Sequence, residues 1–198
     1  MSETLNIIAK RHSTRVFLDR PVSDSDLDKM LSAANQAPSA HNQQSWKFMI
    51  IKNRKKTELA ELISVRSHDF PRASAALLRM ASRSILSAPV VIAVANSGEL
   101  IEHGSKLFQL EDPRVKDFFR TMEIQSSSAA VENLLIAATA LGIATVWLGI
   151  MFLIKDEVLE FLGQPKGEFM AVICAGYPEK ESSSPKKRPV DMLVKRLE

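Results

Sequence analysis

The sequence predicts an α+β protein of one domain, in which helices cover both faces of a sheet of about four strands. Apolar runs rich in β-branched residues, typical of strands, alternate along the chain with segments that have the spacing of amphipathic helices. The 198 residues are enough for one hydrophobic core, and they contain no internal repeat and no interdomain linker. We therefore treat residues 1–198 as a single domain.

The predicted helices are marked by capping and breaking residues. Ser23, with Asp26 three residues later, is a variant of the capping box and predicts the start of a helix. Further helices are predicted over residues 57–65, 73–87, 126–141 and 155–162. The helix at 126–141 is apolar on most faces, so we expect it to be buried in the core or against a partner.

The predicted strands are short apolar runs at residues 46–51, 90–95, 144–148 and 169–175. The second run is apolar throughout and mostly β-branched, which is typical of a strand buried on both faces. Residues 96–122 have helical stretches with weak periodicity, and both an insertion over a site and ordinary surface structure remain open. The tail from Tyr177 is rich in Pro, Ser and basic residues, and it ends in apolar residues that need to be covered.

Composition and missing motifs argue against several classes of function. A net charge of +3 does not indicate a nucleic-acid surface, and the apolar stretches are too short for a membrane span. The single Cys174 cannot form a disulfide within the chain and the start lacks a secretory signal, so we expect a cytoplasmic protein. Dinucleotide, P-loop, metal-ligand and hydrolase motifs are absent from the sequence. An enzyme with this sequence would therefore use a bound cofactor.

Two segments carry candidate binding chemistry. At the start, Arg11, Ser13 and Arg15 alternate, so an extended backbone would project them to one side, where they suit a polyanion. Residues 37–46 combine turn residues with neutral amides that could read the edge of a heteroaromatic ring. Taken alone, the first pattern is weak, and the second is better explained as a helix-to-strand loop. A further basic run, residues 186–188, lies in the tail.

Together, in this order and spacing, the segments R-x-S-x-R-x-F and A-P-S-x-x-N-x-Q-x-W resemble the signature of the FMN-dependent nitroreductase family. Residues 133–142 resemble its central helix, residues 145–149 the strand and glycine turn that follow, and residues 175–178 its closing strand. The resemblance implies a three-layer α/β/α sandwich around a mixed sheet of about four strands, with a strand or tail added by a partner subunit. It also implies a homodimer in which residues 177–198 extend over the partner.

The resemblance further implies one non-covalently bound FMN per chain. The residues expected to bind it are Arg11, His12, Ser13, Arg15, Pro38, Ser39, Ala40, Asn42, Leu148, Gly149, Lys186 and Arg188. The two basic clusters would meet at the phosphate, residues 38–42 would reach the ring from the other subunit, and the backbone at 148–149 would lie under the ring. The cation of Arg15, the expected catalytic residue, would stabilise the negative charge of the reduced ring.

Three departures from the family pattern limit the comparison. Ser45 stands where proline is usual, which should loosen that turn, and Ser127 or Ser128 falls where an acidic residue is common. Contacts to the ring from residues 70–79 cannot be aligned and are left unassigned.

The implied activity is that of an oxidoreductase with a ping-pong mechanism. NAD(P)H would pass a hydride to the flavin, and an electron-poor acceptor, such as a nitroaromatic, a quinone or an activated alkene, would then use the same site. Two alternatives remain open. The FMN could serve another redox role, dehalogenation or dehydrogenation, or the protein could be a non-catalytic flavin carrier or sensor.

Overall fold

The computed structural model describes residues 2–108, 113–164, 167–180 and 184–197. The helices in these ranges are α1 (Glu3–Lys10), α2 (Asp24–Asn35), α3 (Asn53–Arg66), α4 (Arg72–Ser87), α5 (Glu99–Phe108), α6 (Pro113–Ala140) and α7 (Lys155–Phe161). The strands are β1 (Trp46–Ile51), β2 (Val90–Asn96), β3 (Ala144–Leu148) and β4 (Glu168–Gly176). Short 3₁₀ helices lie at Ala40–Asn42, Ser67–Asp69, Ile150–Ile154 and Val190–Met192.

The four predicted strands form one sheet in the order β1-β2-β4-β3, which confirms the α+β class. The expected mixed pairing is wrong for these strands, because each neighbouring pair is antiparallel. Between β1 and β2 the chain passes through two packed helices, α3 and α4, which return it to the end of the sheet where β1 finished. Within the described residues, parallel pairing is limited to one isolated bridge, between Ser13 and Thr145 of β3.

Two hydrophobic clusters, one on each face of the sheet, give the protein its three layers. In β2, Val91 and Ala93 belong to the cluster that includes α3, α4 and α7, whereas Ile92 and Val94 belong to the cluster with α2 and α6. Every residue of β2 is buried, as its apolar sequence predicts. At about 25 cal/mol per Å² of apolar surface, this burial is the main term that holds the layers together.

The cap predicted for α2 is confirmed. The backbone N–H of Asp26 donates to the Ser23 hydroxyl at 3.1 Å, and that hydroxyl donates to the Asp26 carboxylate at 2.8 Å. One orphan N–H of the first helical turn is thereby satisfied. Leu27, Met30 and Ala34 then face the core at the predicted helical spacing.

The long helix α6 begins at Pro113, well before the predicted start at Ser126. Of the segment from residue 96 to 122, Asn96 ends β2, and the described part from Glu99 onward is helical, as α5 and the first part of α6. The apolar second half of α6 is buried by the chain's own sheet and α2, through residues such as Leu134 and Ala138. Of the two positions expected for this stretch, the core accounts for its buried face, whereas Ile136 and Ala137 are only half-buried within the chain. Among the described helices, none has both the length and the apolar character needed to cross a membrane.

Helix α5 packs closely on α6 at one point. Gly104 of α5 lies against the ring of Phe119, which is buried in α6 and also makes an edge-to-face contact with Phe118. A Cβ atom at position 104 would overlap with the Phe119 ring. Glycine is therefore required here by the distance between two helices.

Replacing Gly104 with alanine tests this contact. Alanine is the better helix former by about 1 kcal/mol, but the overlap forces the ring or the helix to move, so we expect the free energy of unfolding to fall by about 1–2 kcal/mol. Urea denaturation measures the change. The double variant G104A/F119L should lose less stability than the sum of the two single variants, because the smaller side chain leaves room for the new methyl group. An unchanged midpoint in G104A would contradict the packing.

Candidate functional site

The opening segment, residues 11–17, leaves α1 and runs along the edge of the sheet. Arg11 caps α1 with extended backbone angles, and the N–H of Thr14 donates to the Thr145 carbonyl at 2.9 Å. Thr14 is buried, while Ser13 and Arg15 are exposed, so the predicted alternation is present from position 13 to 15. Arg15 makes no hydrogen bond or ion pair with any residue that the structure describes, which leaves its charge open to a ligand.

The basic tail segment, residues 184–188, begins beside the opening segment. The Ser184 hydroxyl lies 3.0, 3.2 and 3.3 Å from the carbonyl oxygens of Ala9, Lys10 and Arg11. Lys186 and Arg188, which follow it directly, are exposed and without an ion pair among the described residues. The chain therefore brings the segments of both basic clusters together, although they are far apart in sequence.

A cavity of about 190 Å³ lies next to this junction. It is lined by Lys10, Arg11, His12, Thr14, Thr139, Gly142, Ile143, Ala144 and Pro178. Thr14 lines this cavity, and its hydroxyl is buried without a hydrogen-bond partner among the described residues. The hydroxyl of Thr145, which follows the cavity residue Ala144, is buried and unpartnered in the same sense. Buried polar groups normally have partners, so the polar groups beside the cavity are incompletely satisfied within the described chain.

Arg11 forms a weak ion pair within the chain. Its Nε lies 3.7 Å from the Glu132 carboxylate of α6, and the two side chains are 22% and 49% exposed. An ion pair this long and this exposed contributes little, at most about 1 kcal/mol. A phosphate, which accepts several short charge-assisted bonds, would therefore compete well for Arg11.

The amide loop, residues 38–45, is fastened to α6 and holds a strained backbone. The N–H of Ala40 donates to the Ser126 hydroxyl, and the N–H of Gln44 donates to the Ser39 hydroxyl, both at 3.1 Å. His41, Asn42 and Gln44 have φ angles of 53°, 53° and 50°, in the left-handed region that non-glycine residues avoid. Strain of this kind, about 1–3 kcal/mol per residue, persists mainly at functional sites.

Gly149 follows β3 and leaves its backbone uncovered. Its φ of −82° suits any residue, and a Cβ atom at this position would have Trp147 Nε1 as its nearest neighbour, at an ordinary 3.9 Å. Neither backbone conformation nor crowding therefore requires glycine here. The missing side chain instead leaves backbone accessible beside the buried Leu148, so that a ligand can approach it closely.

The structure separates the predicted residues into two groups. The opening segment contacts Thr145, which lies level with Val90 at the start of β2, because both residues pair with Ala175. The amide loop leads into Trp46, which pairs with Asn96 at the other end of β2. The two segments also lie on opposite edges of the sheet, β3 and β1. Three strand spacings of about 4.8 Å separate those edges. One chain therefore does not close a site that contains both groups.

A buried polar cluster that the sequence did not reveal lies beside the amide loop. Glu123 of α6 is 1% exposed, and its Oε1 accepts the N–H of Leu100 at 2.9 Å. Burial is the main cause that raises the pKa of this carboxyl. The Ser127 hydroxyl donates to the side-chain oxygen of Asn96, the last residue of β2. The spacing of Glu123 from the buried Phe119 and Ser127 is the signal that could have revealed it, since an acidic residue stands in a buried stripe.

The departures at Ser45 and Ser127 have a structural outcome. Ser45 is buried, and its carbonyl accepts the N–H of Ser97 at 2.8 Å, which ties the end of the turn to the residue after β2. Ser128 donates to the carbonyl of Ile124 at 2.8 Å. Where an acidic residue was expected, the chain uses serines, and the buried carboxyl of Glu123 lies one turn earlier on α6.

Comparisons with known proteins agree on one family. The model of the nitroreductase family matches residues 8–177. A protein of Archaeoglobus fulgidus, provisionally named NADH dehydrogenase/NAD(P)H nitroreductase, is 33% identical over 186 residues, which are 91% of this chain and 88% of that protein. A BluB-like flavoprotein from Clostridium difficile 630 is 27% identical, with a TM-score of 0.81 and full coverage of both chains. A protein from Desulfovibrio desulfuricans, provisionally described as a nitroreductase in complex with FMN, is 25% identical, with a TM-score of 0.75 over 100% of this chain and 98% of that one.

The strain in the amide loop predicts an unusual effect of glycine. His41→Gly removes a left-handed penalty of about 1–2 kcal/mol, which exceeds the entropic cost of glycine, about 0.5–1 kcal/mol. We expect thermal unfolding to shift upward slightly or not at all. Gln43→Gly is the matched control in the same loop, because its φ is −70° and glycine offers no relief there. That variant should be less stable than the parent, and equal losses in both variants would argue against strain at His41.

Proposed function

The chain belongs to the nitroreductase family, and from this premise we propose that it is an FMN-dependent oxidoreductase that uses NAD(P)H to reduce small electron-poor acceptors. The observation that supports this most strongly is the junction of the opening segment with the basic tail at the edge of β3, and the exposed backbone of Gly149, which follows the same strand, adds to it. Anion-binding groups and a flat apolar-backed surface are the two features that a flavin phosphate and ring require.

The phosphate end fits the residues at the junction. Converging donors for a dianion would come from Arg11, Ser13, Lys186 and Arg188. Hydrogen bonds between a cation and a phosphate are roughly twice as strong as those between neutral groups. His12 lies in the same segment and lines the adjacent cavity. Glu132 opposes the phosphate, but its partly exposed side chain is free to turn toward water.

The ring end requires a second copy of the chain. Leu148 and Gly149 would lie beneath the ring, whereas the amide loop that carries Pro38, Ser39, Ala40 and Asn42 lies at the opposite edge of the sheet. A homodimer would bring the amide loop of one subunit to the Gly149 edge of the other. Apolar side chains that are exposed in the single chain favour such an assembly; they include Leu5, Ile8, Val190, Met192, Leu193 and Leu197.

The protein residues would orient the reactants and stabilise charge. FMN, when bound, supplies the two-electron chemistry. Arg15 would hold a fixed cation at the edge where negative charge develops, a form of preorganised stabilisation that is strong in a site from which water is excluded. Because no dinucleotide-binding motif occurs in the sequence, donor and acceptor would occupy one site in turn, as in a ping-pong mechanism. Nitroaromatics, quinones and activated alkenes are the acceptors that suit this chemistry.

The absorbance spectrum of the purified protein, followed by steady-state assays with NADH and NADPH against a panel of acceptors, tests the proposal. We expect about one FMN per chain and turnover with at least one acceptor class. A colourless protein that does not bind added FMN would contradict flavin dependence. Tight FMN binding without turnover would instead favour a carrier or sensor.

Arg188→Ala tests the phosphate end. Loss of one charge-assisted bond, about 1.5–3 kcal/mol, should weaken FMN about ten- to hundredfold in a fluorescence titration. Lys187→Ala is the control in the adjacent position, since Lys187 fits the expected pattern less well, and it should change the FMN affinity little. Equal effects of the two substitutions would indicate general charge attraction rather than a specific contact.

Arg15→Gln tests the catalytic cation. Glutamine keeps much of the length but not the charge, so FMN retention should fall modestly while flavin reduction by NAD(P)H slows about ten- to hundredfold, roughly 1.4–2.7 kcal/mol of lost transition-state stabilisation. The reduction potential should move to more negative values. Stopped-flow measurements use FMN-saturated proteins, with Arg54→Gln, which breaks a surface ion pair with Glu58, as the control. Equal rates and potentials in the parent and the Arg15 variant would exclude this role.

A further inference from the structure

The buried polar cluster at Glu123 has no part in the reaction as proposed above, yet it connects three segments. The Glu123 carboxyl accepts the N–H of Leu100, in the first turn of α5, at 2.9 Å. The Ser45 hydroxyl, at the end of the amide loop, and the backbone at Gly98 also face this carboxyl. Glu123 thus acts as a side-chain cap for α5 while it contacts the residue that ends the amide loop.

The same stretch of α6 holds the other end of the amide loop. Ser126 accepts the N–H of Ala40 at 3.1 Å, and Ser127 donates to Asn96, which is paired with Trp46. Residues 123–127 of α6 therefore bind the entry of the amide loop, its exit and the start of α5. A change in the position of one of these segments must be accommodated by the others.

The cluster is incompletely satisfied, which makes it sensitive to charge. Ser45 Oγ, Asn96 Nδ2 and Glu123 Oε2 are buried and make no hydrogen bond of good geometry with the described residues. A buried carboxylate with one oxygen unpaired is costly, whereas the neutral acid is tolerated and can donate to a neighbour such as Ser45. The cluster is therefore most stable when Glu123 is protonated.

The charges around Glu123 reinforce this preference. Glu99 of α5 raises the pKa of Glu123 further by repulsion, after the larger effect of burial. Lys47 of β1 lies 4.0 Å from Glu99 and offsets it weakly. Arg120, one turn earlier on α6, is engaged by Glu168 of β4 through bonds of 2.8 and 2.9 Å, and Asp117 also lies 4.0 Å from it. Neither of these cations, Lys47 and Arg120, forms an ion pair with Glu123.

We propose that Glu123 is a positioning residue that couples the amide loop to α5, so that ionisation of its side chain loosens both segments together. The catalytic consequence rests on the proposed function, in which the amide loop contacts the flavin at which the acceptor is reduced. The raised pKa of Glu123 determines in which direction docking of the two segments changes with pH. Docking of the two segments is strongest at low pH, and it weakens as the pH rises from the ordinary carboxyl range through the raised value.

Hydrogen exchange followed by mass spectrometry tests the coupling without any need for turnover. After correction for intrinsic rates, protection of the peptides that cover residues 38–45 and 99–108 should fall as the pH rises above the ordinary carboxyl range, at most about tenfold per pH unit, and level off once Glu123 is ionised. Glu123→Gln retains an oxygen for Leu100 but carries no charge, so its protection should not depend on pH. Glu123→Ala should lose protection in both peptides. Glu102→Gln, on the exposed face of α5, is the control and should behave as the parent.

Two outcomes would overturn the proposal. Loss of protection in α5 alone, with the amide loop unchanged in Glu123→Ala, would show that the segments are independent. Parent protection that does not change with pH in either peptide would show that ionisation has no effect. Because Glu123→Gln keeps the shape of the side chain, the pH comparison decides this even if Glu123→Ala fails to fold.

Acceptor kinetics then separate this inference from the proposed function. In an active enzyme, loosening of the amide loop should raise the acceptor KM as the pH rises, and Glu123→Gln should abolish that rise. A parent enzyme that turns over, with the same KM profile in both proteins, would overturn the catalytic link and leave the oxidoreductase proposal intact. A parent that lacks FMN or turnover would overturn the proposed function, and hydrogen exchange would still decide the coupling.

Discussion

The antiparallel pairing of β2 with β4 is the constraint on which the rest of the structure depends. Both strands are central in the sheet and buried on both faces, so helices must cover each side and the three-layer arrangement follows. The register also sets the two ends of the molecule. Val90 opposite Ala175 marks the end that receives the opening segment, and Asn96 opposite Glu168 marks the end that receives the polar cluster. Gly176 belongs to the first end, where Pro89 and Phe17 pack so closely that a Cβ atom would not fit.

The placement of the candidate site follows from this arrangement. Segments that leave the sheet at its edges, such as residues 11–17 and the backbone at Gly149, remain accessible because the core is complete without them. The same rigid scaffold tolerates the left-handed residues of the amide loop, whose cost is small beside the hydrophobic energy of the two clusters. Since the two groups of residues lie at opposite edges of one sheet, a ligand that needs both would require the interface between two chains that we propose.

Helix α6 connects these features to each other. Its second half supplies core residues under the sheet, whereas the stretch at 123–127 supplies polar groups to the amide loop, β2 and α5. Glu132, further along the same helix, contacts Arg11 of the opening segment. One helix is therefore in contact with both groups of candidate residues, which gives a physical route by which changes at α5 could reach the site. This route is testable because its central carboxyl is buried and titratable.

The sequence by itself determined the features that depend on local pattern. The strands at β1 to β4, the cap at Ser23 and the spacing of Arg11, Ser13 and Arg15 were all readable, because each rests on neighbouring residues and a short period. Only the tertiary structure decided the start of α6, the meeting of Ser184 with the opening segment and the burial of Glu123. These features depend on segments that are distant in sequence, since Glu123 is buried by α5 and the amide loop rather than by its own helix. Periodicity along one helix carries no information about such neighbours, and packing alone supplies it.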